Sequence, residues 1–135
     1  IETPVEAYRK LKILVLGAST IKPKDIIGIA KRHGLTKHNL QLELDYSKNK
    51  RFDLTALRYT SPYSGILVGP VAHKITGLGD HSSILGLLQE EGFPPHVAIK
   101  TNSGTLKITK TAISTAFDNI MNQIGSYDPD FIPTF

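Results

Sequence analysis

Residues 12–17 read Lys-Ile-Leu-Val-Leu-Gly, and residues 65–69 read Gly-Ile-Leu-Val-Gly. Past Lys12, each is a short unbroken apolar run closed by glycine. A strand with one wet face alternates polar and apolar residues, whereas an unbroken run belongs to a strand covered on both faces, as in parallel sheets. Residues 40–45, Leu-Gln-Leu-Glu-Leu-Asp, do alternate and read as a strand with one wet face. Residues 96–100, His-Val-Ala-Ile-Lys, supply a fourth strand.

Helical patterns fill the intervals. Residues 23–33 place Ile26, Ile27, Ile29 and Ala30 on one stripe, with Pro23 at the first helical position and Gly34 at the stop. A short helix is expected around 53–59 on Leu54 and Leu57. Another is expected over 82–91 on Ile84, Leu85, Leu87 and Leu88, closed by Gly92. The clearest helix spans about 110–124, where Ile113, Phe117, Ile120 and Ile124 recur at helical spacing. Alternating strands and helices imply an α/β fold: a three-layer α-β-α sandwich around a four-stranded parallel sheet. The two unbroken runs belong in the centre and the alternating strand at an edge, which strand order 2-1-3-4 satisfies. That order puts a topological switch point between strands one and three, where ligands bind at the carboxyl ends.

The chain has 135 residues, 40% hydrophobic and 21% charged, a composition that excludes intrinsic disorder and suits one domain over 12–124. Residues 1–11 read as a linker or extension. Residues 125–135 read as a tail in which Pro129 and Pro133 exclude a helix. Its Tyr127, Phe131, Ile132 and Phe135 are expected to pack on this body, on a second copy or on a neighbouring domain of a longer chain. The chain starts at Ile1 rather than Met, which fits a piece of a larger protein. No cysteine is present, which rules out disulfides, thiolate metal sites and cysteine nucleophiles. No run approaches the ~20 apolar residues of a membrane span, and residues 1–12 lack the apolar stretch of a secretory leader, so a cytoplasmic location is expected.

Three loops leave the expected carboxyl edge. In the first, Gly17 turns the backbone and the hydroxyls of Ser19 and Thr20 precede a helix N-terminus, where amides and dipole favour an anion. Only one glycine of a dinucleotide fingerprint is present and there is no P-loop, so no cofactor is assigned. Ser19 or Thr20 also reads as a plain helix cap. The second loop, 69–83, holds His73, Lys74, Asp80, His81, Ser82 and Ser83 between a buried strand and a helix. Loops longer than about 12 residues are often functional. His73 or His81 is a candidate general acid or base with Asp80 to orient it, although Asp80 or Ser82 also reads as the next helix's cap. Their spacing fits no metal motif. The third loop, 101–111, carries Thr101, Asn102, Ser103, Lys107 and Lys110 without an acid, and Thr109 reads as the cap of the last helix. Lysines over a helix N-terminus conflict with its dipole unless an anion sits between them.

Across 12–124 the pattern resembles small flavodoxin-like and Rossmann-like families. The aspartate of response-regulator receivers, the cysteine of phosphotransferase IIB subunits and low-molecular-weight phosphatases, and the acids of Toprim domains are all missing from the corresponding strand ends. A glycine-ended first strand, His73 soon after the third strand and a Ser/Thr-rich turn before the last helix are similar to a group of uncharacterised bacterial Rossmann-like domains. That resemblance implies the fold and no established activity.

Lys and Arg outnumber Asp and Glu sixteen to twelve, a net charge of +4. The leading expectation is a binding or regulatory domain for a phosphate-bearing, nucleotide-like small molecule. The alternatives are a small enzyme using His73 or His81, and a nucleic-acid or protein interaction module using the basic groups Lys31-Arg32-His33, Lys37-His38 and Lys48-Asn49-Lys50-Arg51.

Overall fold

The structure, a computed structural model, describes residues 11–45, 53–59, 61–71, 78 and 83–124. Strands β1 (Ile13–Leu16), β2 (Leu40–Glu43), β3 (Gly65–Val68) and β4 (His96–Ala98) form an all-parallel sheet in the order β2-β1-β3-β4. Ile13 pairs with Leu40 on one side and with Gly65 on the other, and Ile66 pairs with His96. The expected α/β architecture and strand order are those the chain adopts. Every residue of β1 and β3 is buried, as unbroken apolar runs require. Edge strand β2 keeps Gln41 and Glu43 together on its more polar face, where the Gln41 amide donates to the Glu43 carboxylate at 2.9 Å.

Two helices cover one face of the sheet: α1 (Pro23–Lys31) and α3 (Lys110–Ile124). Ile26, Ile29, Ile113, Phe117 and Ile120 pack with Ile13, Val15 and Leu67 there. Phe117 is fully buried, and burying a side chain of this size contributes about 1.5–3 kcal/mol. Helix α1 ends at Lys31, two residues short of the expected 23–33, and Gly34 stops it as expected. Gly34 adopts φ 80°, its N–H bonds to Lys31 O, and the Leu35 N–H bonds to Ala30 O. These two bonds make a Schellman turn, which a residue with a Cβ enters only at a cost.

On the opposite face the described residues form shorter helical elements than the sequence predicts. Residues 53–59 contribute only a 3-10 turn, Leu54–Leu57, and residues 83–91 only one helical turn, α2 (Ile84–Leu87). Leu54, Leu57, Ile84, Leu87 and Leu88 still bury Leu14, Leu16, Ile66 and Val68, so the apolar stripes do their packing without long helices. Gly86 inside α2 lowers its helix propensity, and Glu90 and Glu91 beyond its end oppose the dipole. The cap of α2 is Ser83, whose hydroxyl accepts from the Gly86 N–H at 3.2 Å. Among the described residues, no helix is long and apolar enough to cross a membrane.

Candidate functional site

The loop after β1 is stitched to both neighbouring strand ends. The Gly17 N–H donates to Glu43 O at 2.9 Å, the Ala18 N–H to Pro70 O at 2.6 Å, and the Ser19 N–H to Leu44 O at 3.3 Å. These bonds hold residues 17–19 open over β2 rather than folding them straight into α1. Neither Ser19 nor Thr20 caps that helix. Its N-cap is Lys22, which makes no side-chain capping bond, and Pro23 follows in the first turn. The Ser19 hydroxyl instead accepts from the Ile21 N–H at 3.0 Å, a local turn that fixes where its oxygen sits.

The loop after β4 closes partly on itself. Lys100 and Leu106 bridge antiparallel around a turn at Gly104, whose φ is 84°. The Thr101 hydroxyl meets the Ser103 hydroxyl at 2.9 Å, and Ser103 meets Thr105 at 3.3 Å. Thr101, Asn102 and Ser103 therefore belong to a small exposed hairpin. Beyond it the chain returns to the sheet: the Lys107 N–H donates to Ile99 O at 3.0 Å, and the buried Ile108 side chain sits over Gly69. Thr109 then caps α3, its hydroxyl accepting from the Ala112 N–H at 3.0 Å.

These two loops meet in a groove of about 650 Å³ at the carboxyl ends of β1 and β2. Ala18, Ser19, Thr20 and Pro23 form one wall and Lys107 and Ile108 the other. Leu42, Leu44 and Asp45 complete it from β2 and the residues just beyond. The groove offers an apolar lining, two hydroxyls, one ammonium and one carboxylate.

Of the residues expected to gather at this edge, Gly17, Ser19, Thr20 and Lys107 do so. Lys110 does not: it lines a different groove, between α1 and α3. Thr101 and Ser103 turn toward each other, Asn102 is exposed between them, and Ser83 serves α2. His73, Lys74, Asp80, His81 and Ser82 lie outside the described residues. Asp45, Leu42 and Leu44 line the groove without standing out as site residues in the sequence. The signal for them was present in the alternation Leu-Gln-Leu-Glu-Leu-Asp, which puts Leu42 and Leu44 on one face and an acid at the strand's carboxyl end. Among the described residues, no three His, Cys, Asp or Glu side chains stand close enough to hold a metal.

The chain has no significant match among protein-family models, curated proteins or solved structures. The functional reading therefore rests on fold and site geometry.

Proposed function

We propose that the groove over β1 and β2 binds a small phosphate-bearing ligand with an apolar or sugar-like body, a mononucleotide being the chemistry that fits best. The observation that carries this reading is the groove's position. Ligands of open parallel sheets bind beyond the carboxyl ends of the strands. At the switch point between β1 and β3 the Gly17 and Gly69 backbones close on each other, and the groove opens one strand over, above β1 and β2. Its volume, about 650 Å³, is in the range of small-molecule sites.

Each lining group has a complementary part of such a ligand. Lys107 pairs with a phosphate. Ser19 and Thr20 donate hydrogen bonds to phosphate oxygens or accept them from ligand hydroxyls. Leu42, Leu44 and Ile108 contact an apolar ring. Asp45, two residues beyond β2, would accept from ribose hydroxyls, as the acid after the second strand does in dinucleotide-binding sheets. The balance of one cation and one acid favours a ligand with both a charged and a hydroxylated end over a bare polyanion.

Thermal denaturation against a panel of ribo- and deoxyribonucleoside monophosphates, with phosphate and sulfate as controls, tests the reading. A ligand at ten times its Kd adds about 1.4 kcal/mol of stability, a readable rise in Tm. Lys107→Glu should abolish the rise and Asp45→Asn should narrow the gap between ribo- and deoxyribonucleotides. A panel that leaves Tm unmoved at millimolar ligand sinks the proposal.

A further inference from the structure

A second groove, of about 470 Å³, runs between α1 and α3, and Ser114 lines it. Beneath that serine lies an arrangement of three side chains. His33, just past the last turn of α1, places Nε2 3.2 Å from the Ser114 hydroxyl oxygen and Nδ1 2.9 Å from a carboxylate oxygen of Asp118. Ser114 and Asp118 are four residues apart on α3 and so share one face of it. The imidazole is 9% exposed and its ring centroid lies 5.7 Å from that of Phe117, which holds it between the two helices. The Asp118 carboxylate accepts a hydrogen bond from Nδ1–H, which leaves Nε2 to accept one from the Ser114 O–H. A nucleophile bonded to a base, with the base oriented by a third group, is the signature of an activated hydroxyl.

The groove beside Ser114 is cationic. Lys24, Arg32 and Lys110 line it against the single acid Asp25. An excess of cations around the groove favours a substrate that carries a negative charge.

We propose that Ser114 is an acyl-accepting nucleophile, with His33 as its base and Asp118 as a positioning residue, acting on small esters that carry a negative charge. In the first step the Ser114 proton passes to His33 Nε2 while Oγ bonds to the ester carbonyl carbon. The tetrahedral oxyanion collapses, the bond to the alkoxy oxygen breaks, and His33 returns the proton to the departing alcohol. Water then repeats the sequence on the acyl-serine, His33 taking its proton and giving it to Ser114 as the acid leaves. Atoms and charge balance without a further reactant. Asp118 is 57% exposed, so water weakens its hold on the imidazole, and its removal should cost less than removal of His33.

The test uses the full chain with a fluorophosphonate probe, peptide mass spectrometry, and mono-p-nitrophenyl succinate as an anionic ester. Label should appear on Ser114 in the folded protein and vanish on heat unfolding. Ser114→Ala, a change that α3 tolerates because alanine is the best helix former, should remove both label and turnover with Tm retained. His33→Gln should slow labelling at least about a hundredfold, the usual reach of general-base catalysis. Asp118→Asn should lower kcat about tenfold with KM unchanged, and Asp118→Glu should restore most of it. Label on other residues, no label beyond the unfolded control, or equal labelling in His33→Gln would each overturn the proposal and leave a purely interhelical bond.

Discussion

Gly17 and Gly69 stand against each other at the carboxyl ends of β1 and β3. A Cβ on Gly17 would lie 2.7 Å from the Gly69 Cα and 2.8 Å from its carbonyl carbon. Both contacts are backbone, so no side-chain rotation relieves them. The two strand ends meet this closely because the Gly69 N–H bonds to Leu16 O at 2.7 Å and the Ala18 N–H to Pro70 O. The backbone of residues 17–19 is thereby held where the groove begins.

Gly17→Ala should therefore destabilise the protein by about 3 kcal/mol, the upper part of the overpacking range. Gly69→Ala should cost less, about 2 kcal/mol, because its Cβ would meet the buried, β-branched Ile108 side chain at 2.7 Å, and a side chain yields more readily than backbone. Urea denaturation of the two variants checks the order. Equal losses would mean that the strand ends separate more readily than their hydrogen bonds imply.

Asn39 is the buried polar residue among those described, 1% exposed. Its amide donates to Leu11 O at 2.8 Å and its carbonyl oxygen accepts from the Thr36 N–H at 2.9 Å. It thus joins the lead into β1 to the turn before β2. Asn39→Ala should lose about 1–3 kcal/mol by leaving those groups unsatisfied. Asn39→Asp should lose more at neutral pH, since a carboxylate would face the Leu11 carbonyl, and should recover part of that as the carboxylate is protonated in acid. Denaturant midpoints at pH 7 and pH 4, each relative to wild type, measure both effects.

Burial holds the His96 imidazole below its ordinary pKa. The folded state thus takes up this proton less readily than the unfolded chain. Stability from this group is intact above the free-imidazole value of about 6.5 and declines as pH falls from there toward the lowered folded value. Tm should drop between pH 7.5 and pH 5.5, and His96→Gln should make that drop smaller. An identical drop in the variant would assign it to the other histidines.

Thr109 caps α3 through the Ala112 N–H. Thr109→Ala should cost about 1 kcal/mol and Thr109→Ser much less, since the hydroxyl is what is lost. Because α3 carries Phe117 and Ile120 into the core, the loss should appear in global unfolding rather than as fraying alone. Thermal melts of both variants distinguish the two.

Much of the fold was legible because burial leaves a mark on composition. Two runs without a polar residue had to be central, and one alternating run had to be an edge. Gly34 and Thr109 declared a stop and a cap by residue type, since few side chains suit those backbone positions. Over Leu14 and Leu16 the described elements are shorter than their apolar spacing implies. Leu54 with Leu57, and Ile84 with Leu87, satisfy a helical spacing that a 3-10 turn and one α-turn satisfy equally well. The candidate groove was half legible. Ser19, Thr20 and Lys107 were placed at it from strand order alone, but the hydroxyls of Thr101 and Ser103 found each other across a hairpin. A polar residue in a loop carries no periodicity to say which way it faces.

The amino-acid order by itself determined the sheet, its parallel sense and its strand sequence, because apolar runs of that length are stable only when both faces are covered. The tertiary structure alone decided which polar groups meet. His33 lies 81 residues from Ser114 and reads in sequence as part of a basic run, yet it is pinned between two helices. The physical reason is that hydrophobic period fixes which stripe of a helix is buried, while the partners of residues at the margin of that stripe depend on how the two helices are rotated and spaced against the sheet.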